Sequence, residues 1–146
     1  MCQSCNTSDL LQFAGIKPNL NRRLVLDLVT GSEMPLSSQE ILELALSRKE
    51  QRAINRVTMY RILDLLVEKG LLNRLSSPDR TDRYCMRESK NHPHHVHFFC
   101  EHCQKMLCLP SKSIVMEPVK VESPEFSRIN SVQVLLGGVC RACDSN

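Results

Sequence analysis

The chain of 146 residues suits one domain or two small ones, and its formal net charge of +3 is only a weak sign of an anionic partner. It opens without a basic segment followed by an apolar run, and it has no apolar stretch long enough to span a bilayer. Both features argue against a secreted or membrane protein and favour a cytoplasmic one. In a reducing compartment, the eight cysteines favour metal or redox chemistry over a disulfide framework.

Charged and metal-ligating residues are divided unevenly along the chain. Residues 1–91 carry 14 Lys+Arg against 11 Asp+Glu, whereas residues 92–146 carry five of each kind. All five histidines and five of the eight cysteines lie in the second segment. This division predicts two domains with different roles.

The first segment predicts three helices, and each of them carries a stripe of apolar residues. Gly31 follows the first as a C′ residue, Ser37 and Glu40 open the second at capping-box spacing, and Asn55 and Gly70 bound the third. The spacing of the apolar residues directs the following side chains toward a core: Leu24, Val25, Leu28, Val29, Ile41, Leu42, Ala45, Leu46, Ile62, Leu63, Leu66 and Val67.

A β-hairpin follows the helices, with "LLNRL" and "RYCM" as strands around the polar turn "SSPDRTD". Three helices and a hairpin predict a winged helix-turn-helix, so we expect an α+β protein. The linker "RESKNHP" marks the domain boundary. We therefore assign a winged-helix domain to residues 1–86, a hinge to 87–93 and a small α/β domain to 94–146.

The third helix has the features of a DNA-reading helix. Residues 51–63 contain no acidic side chain, and a helix N-terminus together with arginine favours phosphate and guanine. A solvated basic face is the alternative interpretation. The helical context favours contact with double-stranded DNA through the following residues: Arg52, Arg56, Thr58, Tyr60 and Arg61.

Two C-x-x-C pairs, Cys100 with Cys103 and Cys140 with Cys143, supply the four thiolates of a closed structural zinc site. A redox dithiol would explain one such pair but explains two poorly. The second pair must return on a separate strand, which "SVQVLLGGVC" can provide. A third pair lies in an N-terminal tail with no other ligands nearby, and we expect it to be unliganded: Cys2 and Cys5.

In this order, the motifs resemble those of the ferric uptake regulator family: "T-x-YR-x-L-x-x-L-x-x-x-G-L" over residues 58–71, an HHxH cluster and two C-x-x-C pairs. The resemblance implies a metal-responsive transcription factor that works as a homodimer, with an N-terminal winged helix and a C-terminal dimerisation domain. It also implies structural zinc at the two C-x-x-C pairs. Tyr60 and Arg61 would then lie in the major groove of DNA, and Lys17 would reach toward the minor groove.

The residues that depart from the family pattern indicate which metal is sensed. The resemblance places the sensing site at Cys85, His95, His97 and Cys108, with sulfur at two positions where relatives carry carboxylates. Two thiolates and two imidazoles suit four-coordinate zinc better than iron or manganese. We therefore predict a zinc-sensing regulator with two zinc ions per chain, one structural and one regulatory. Repression of zinc import is what the resemblance to the family implies. Buried structural cysteines are the alternative for Cys85 and Cys108.

Other positions of the family's metal sites are mostly lost. Pro35 replaces a histidine ligand, for which Glu33 is near enough in sequence to substitute. An accessory site retains one histidine but has valine at its other ligand positions, and we expect no functional metal there: His94, Val96, Val115 and Val132.

Three further classes of protein compete with the regulator, and one of them, a purely structural zinc-ribbon scaffold, leaves the basic helix unexplained. A metallohydrolase could use the His95-x-His97 pair, but Val96 stands where a carboxylate base or ligand would be wanted. A thiol redox switch could use the C-x-x-C pairs, and it would respond to peroxide at constant zinc. We expect neither an enzyme nor a small-molecule substrate.

Overall fold

The computed structural model describes residues 6–48, 54–89, 95–110, 112, 114, 122–125, 127–128 and 133–145. The chain divides into two compact units, Met1–Pro93 and His94–Asn146. Within the described ranges, no helix combines the length and the apolar character that crossing a membrane requires.

The first unit contains helices followed by a β-hairpin. Its sheet has the strand order β1-β3-β2 with antiparallel pairing throughout, and β2 and β3 are the predicted hairpin. The elements are α1 (Thr7–Phe13), α2 (Leu20–Thr30), β1 (Leu36–Ser37), α3 (Ser38–Ser47), α4 (Arg56–Glu68), β2 (Leu72–Ser76) and β3 (Asp82–Met86).

The predicted helix ends are mostly confirmed, because they depend on contacts a few residues apart. Asn55 caps α4 by accepting a hydrogen bond from the Thr58 N–H at 2.8 Å, and the capping box at the start of α3 is complete. Gly70 follows α4 at φ +74°, a left-handed conformation that glycine adopts without strain. The sequence predicted Gly31 as the C′ residue of α2. In the structure it is the C-cap, with an ordinary helical φ of −80°.

The core of the first unit contains all but one of the predicted apolar positions. Leu24, Leu63 and Leu66 are at most 1% exposed, and Val67 packs against the core from its edge. The prediction for Leu46 is wrong, because its side chain is 55% exposed on the outer face of α3. Helix α1 was not predicted from the sequence, yet its Leu11 is completely buried.

The second unit has a three-stranded sheet in the order β5-β4-β6. β4 pairs antiparallel with β5 and parallel with β6, so the chain must cross over before β6 begins. The strand predicted in "SVQVLLGGVC" is confirmed over its central residues. The elements are β4 (His95–Cys100), β5 (Met106–Pro110), β6 (Leu135–Gly138) and α5 (Arg141–Asp144).

Candidate metal centres and nucleic-acid interface

Parallel pairing of β4 and β6 brings the two C-x-x-C pairs together. Cys100 ends β4 opposite Gly138 of β6, and the chain then reaches Cys140 two residues later. A turn after β4 carries Cys103, and α5 carries Cys143. The four sulfur atoms lie within 4.8 Å of one another.

The sulfur cluster fits a tetrahedral zinc ion. Zinc–sulfur bonds of about 2.3 Å place tetrahedral sulfurs about 3.8 Å apart, and the Sγ atoms of Cys103 and Cys140 are separated by 3.8 Å. The backbone N–H groups of Cys103 and Cys140 donate to the Cys100 Sγ at 3.5 Å and 3.3 Å. Such donors favour the thiolate form of Cys100 over the thiol, and the thiolate is the form that binds zinc.

The sulfur cluster perturbs the acidity of its own members. Backbone N–H donors from Cys103 and Cys140 lower the pKa of the Cys100 thiol to about 6. The hydrogen bond to Cys140, with burial and the other cluster sulfurs, raises the pKa of the Cys143 thiol to about 12. The backbone therefore stabilises the Cys100 thiolate, whereas ionising Cys143 beside it needs a cation to offset the repulsion.

Three of the predicted sensing residues share one face of the sheet in the second unit. His95 and His97 alternate along β4, and their rings make a T-shaped contact with centroids 4.7 Å apart. Cys108 of β5 is the register partner of His97, so their side chains project on the same side. Burial raises the pKa of the Cys108 thiol to about 11.

The other predicted metal-site positions belong to the first unit or fall outside the described residues. Cys85 belongs to the first unit, where it is 6% exposed on β3 opposite Asn73. Glu33 is exposed in the turn between α2 and β1. The remaining predicted positions of this kind fall outside the described residues: Cys2, Cys5, His94, Val115 and Val132.

The predicted DNA-reading residues occupy the first turns of α4. Arg56 and Arg61 are exposed, Tyr60 is 41% exposed, and Thr58 is half-buried beside the Asn55 cap. Exposed side chains at the N-terminal end of a helix can reach base edges in a major groove. Two further predicted contacts lie outside α4, since Lys17 is exposed in the loop before α2 and Arg52 is outside the described residues.

Two contacts from α3 to the predicted DNA-reading face of α4 were missed from the sequence. The Ser38 Oγ lies 3.0 Å from the Tyr60 hydroxyl, and Arg56 donates to the Gln39 amide oxygen at 3.2 Å. Both α3 residues follow directly after the predicted N-cap, which is the sequence signal that could have indicated them. Their contacts orient the tyrosine and the arginine from the adjacent helix.

Solved structures share this fold, although all those compared are less than 25% identical to the chain. The ferric uptake regulator of Vibrio cholerae has a TM-score of 0.67 at 18% identity, covering 92% of this chain and 100% of that one. A zinc-bound manganese uptake regulator has a TM-score of 0.62 at 19% identity, covering 92% and 99%. Holo XcZur has a TM-score of 0.55 at 18% identity, covering 94% and 96%. The fold is thus common to proteins named for different metals.

Sequence comparison identifies the family. The ferric uptake regulation protein of Synechococcus elongatus is 28% identical over 108 residues, which are 74% of this chain and 71% of the relative. The sequence model of the ferric uptake regulator family matches residues 14–135, which include the predicted DNA-reading helix, the histidine cluster and the first C-x-x-C pair. The chain therefore belongs to the ferric uptake regulator family and is a metal-responsive transcription regulator rather than an enzyme.

Proposed function

We propose that this protein is a zinc-responsive repressor that acts in the cytoplasm and binds operator DNA as a homodimer when a regulatory zinc site is filled. The observation that carries the proposal is the donor set on the second unit's sheet, where His95, His97 and Cys108 share one face. Cys85, on the last strand of the first unit, is the proposed fourth ligand. A second zinc ion, held by the four-sulfur cluster, is proposed to be structural.

The donor chemistry favours zinc over the harder metals. Two sulfur and two imidazole ligands match the four-coordinate geometry that zinc adopts, whereas iron(II) and manganese(II) sites favour carboxylate oxygen. Within the described residues, the metal-binding groups of this face contain no carboxylate. The half-buried thiol of Cys108, with its raised pKa, binds metal as a thiolate only when a soft cation replaces its proton.

An exposed edge strand supports the proposed homodimer. β6 lies at the edge of the described sheet and leaves two large apolar side chains exposed, Leu135 at 39% and Leu136 at 38%, and Val139, directly after the strand, is 48% exposed. Edge strands with apolar side chains are ready to pair with a second copy of the chain. Such pairing would set the separation of two copies of α4, as two operator half-sites require.

Regulation follows from where the four proposed ligands lie along the chain. Cys85 is attached to the DNA-binding unit, and the other three belong to the unit with the exposed edge strand. Bound zinc would supply four ligand bonds and no reaction chemistry. Ligation by residues of both units would favour one arrangement of the two reading helices, and the metal acts only through its higher affinity for that arrangement.

Metal-dependent DNA binding by matched cysteine variants tests the proposal. The probe is a duplex selected from a random library by the zinc-loaded native protein. Cys85→Ala and Cys108→Ala should each retain the tightly held zinc but no longer gain affinity for the duplex when further zinc is added. Cys5→Ala, which replaces a cysteine predicted to be unliganded, is the control and should respond as the native protein does.

Three results would contradict parts of the proposal. If iron(II) or manganese(II) activated DNA binding at lower free concentration than zinc, the assignment of zinc as the sensed metal would fail. Control of DNA binding by peroxide at constant zinc would identify a thiol redox switch instead. Native-like affinity in Arg61→Ala, or affinity insensitive to salt, would remove α4 as the DNA-reading element.

A further inference from the structure

Two side chains in the first turn of α3 reach across to the outward face of α4. The Gln39 amide oxygen accepts a hydrogen bond from the Arg56 guanidinium at 3.2 Å, and the Ser38 hydroxyl lies 3.0 Å from that of Tyr60. The same turn of α3 leads directly to Ile41, which is completely buried in the core. The packing of α3 therefore fixes the position of its first turn beside α4.

Glu43, one turn further along α3, fixes the orientation of the Gln39 amide. The Gln39 Nε2 donates to the Glu43 carboxylate at 2.8 Å, while the Gln39 Oε1 accepts from Arg56. The reverse orientation would set the amide nitrogen against the guanidinium, where both groups are donors, and the amide oxygen against the carboxylate, where both are acceptors. Only one orientation satisfies both partners, so Glu43, Gln39 and Arg56 form a directed series of hydrogen bonds.

Arg56 is held by a neutral group, so its positive charge is not neutralised. It is exposed, and among the described residues no carboxylate lies within ion-pair distance of it. The single hydrogen bond to Gln39 leaves one edge of the guanidinium with both of its parallel donors. Arg56 can therefore bind a group with two adjacent acceptor atoms, such as a phosphate or the major-groove edge of guanine.

The position of Arg56 is unfavourable for the stability of α4 itself. It is the first residue of the helix, where the backbone N–H groups create a partial positive charge that disfavours a second cation. The first turn of α4 contains no acidic residue that would offset this charge. A cation kept at a helix N-terminus and oriented by two further side chains indicates a role in binding an electronegative group outside the helix.

We propose that Gln39 is a positioning residue for the DNA contact of Arg56, and that Glu43 in turn orients Gln39. This inference rests on the proposed DNA-binding function and adds to it two residues of α3 that act through another side chain. The DNA group is a pair of adjacent acceptors on a phosphodiester or a guanine edge. Holding the guanidinium in place before DNA arrives reduces the entropy lost on binding, and the neutral amide leaves the full positive charge for DNA.

Two substitutions at Gln39 separate the positioning of Arg56 from its charge. Zinc-loaded protein is titrated with the library-selected duplex and with a scrambled duplex from about 50 to 200 mM salt. Gln39→Ala should lose about three- to tenfold in affinity with unchanged salt dependence, because the arginine loses its support but keeps its charge. Gln39→Glu should lose affinity and also show a log–log salt dependence shallower by about 0.9 per protomer, because the new carboxylate neutralises Arg56. Alanine is a strong helix former, so Gln39→Ala should keep the native fold.

A double-mutant cycle tests whether Gln39 acts through Arg56. In an Arg56→Ala protein, the further change Gln39→Ala should not alter affinity, because no guanidinium remains to be positioned. Gln12→Glu is the matched control, since it makes the same change of charge at an exposed residue of α1, and it should keep native affinity and salt dependence. Loss of affinity in Arg56→Ala for both duplexes identifies a phosphate as the partner group, and loss for the selected duplex alone identifies guanine.

The outcomes separate this inference from the proposed function. The positioning role is overturned if Gln39→Ala binds the selected duplex with native affinity, or if it costs as much in the Arg56→Ala protein as in the native one. It is equally overturned if Gln39→Glu keeps the native salt dependence, or if Gln39→Ala loses affinity only in step with a lowered thermal midpoint. Weak binding by Arg61→Ala would in each case leave the proposed function standing. Absence of salt-dependent DNA binding in the native protein would remove the proposed function itself.

Discussion

Loss of one cluster sulfur should unfold the second unit and leave the first intact. Cys140→Ser removes one of four thiolates that lie within 4.8 Å of one another. Structural zinc contributes about 10–16 kcal/mol to folding, so an even share is about 2.5–4 kcal/mol per ligand. A core as small as that of His94–Asn146 rarely supplies more than about 3–5 kcal/mol. The folding free energy contributed by one thiolate is therefore comparable with the entire stability that packing provides in the second unit.

The two units should respond differently because their cores differ. All 19 residues of the main hydrophobic cluster belong to the first unit. Among the described residues of the second unit, the buried apolar side chains other than Cys100 are Val96, Phe99 and Met106. The first unit should therefore keep its thermal transition in Cys140→Ser, while the second loses its own.

Metal content and thermal unfolding measure this effect together. The native protein should retain about one tightly held zinc per chain after dilute chelator and show the unfolding of both units. Cys140→Ser should retain none and lose the second-unit transition. Cys108→Ser is the matched control, because it removes a half-buried thiol of the same unit that lies outside the four-sulfur cluster. A Cys140→Ser protein that kept both its tight zinc and its second transition would refute the reasoning.

Three shorter predictions concern other parts of the molecule. Gly70→Ala should cost about 1–2 kcal/mol in a denaturant titration, because φ is +74° and the new Cβ would lie 2.9 Å from an Arg87 nitrogen. Asp79→Asn should lower stability at pH 7 by about 2 kcal/mol, because Arg83 loses a charged hydrogen-bond acceptor. The Arg83 hydrogen bond holds the pKa of Asp79 below its ordinary 3.8, so the difference from the native protein should persist above about pH 4 and fade as acid protonates that carboxylate. Cys85→Asp should shift the metal that activates DNA binding from zinc toward manganese(II), since a carboxylate is a harder ligand than a thiolate. The shift is measured as the activation midpoint for each metal, and unchanged midpoints would count against Cys85 as a ligand.

Features that depend on neighbours a few residues apart could be read from the sequence. The Asn55 cap, the Ser37–Glu40 capping box and the left-handed Gly70 each require one residue type at one spacing, and all three are present. The hairpin and the alternation of His95 with His97 follow equally from local periodicity. The family was recognisable for the same reason, since its motifs are short and keep their order along the chain.

Features that depend on distant parts of the chain were decided by the tertiary structure. Helix α1 and the exposure of Leu46 were not foreseen, because burial depends on which element packs against each helical face. The two C-x-x-C pairs are 37 residues apart in sequence, and only the parallel register of β4 with β6 brings their sulfurs together. Spacing determines hydrogen bonds within a turn, whereas contacts between strands exist only after the chain has closed the intervening loop.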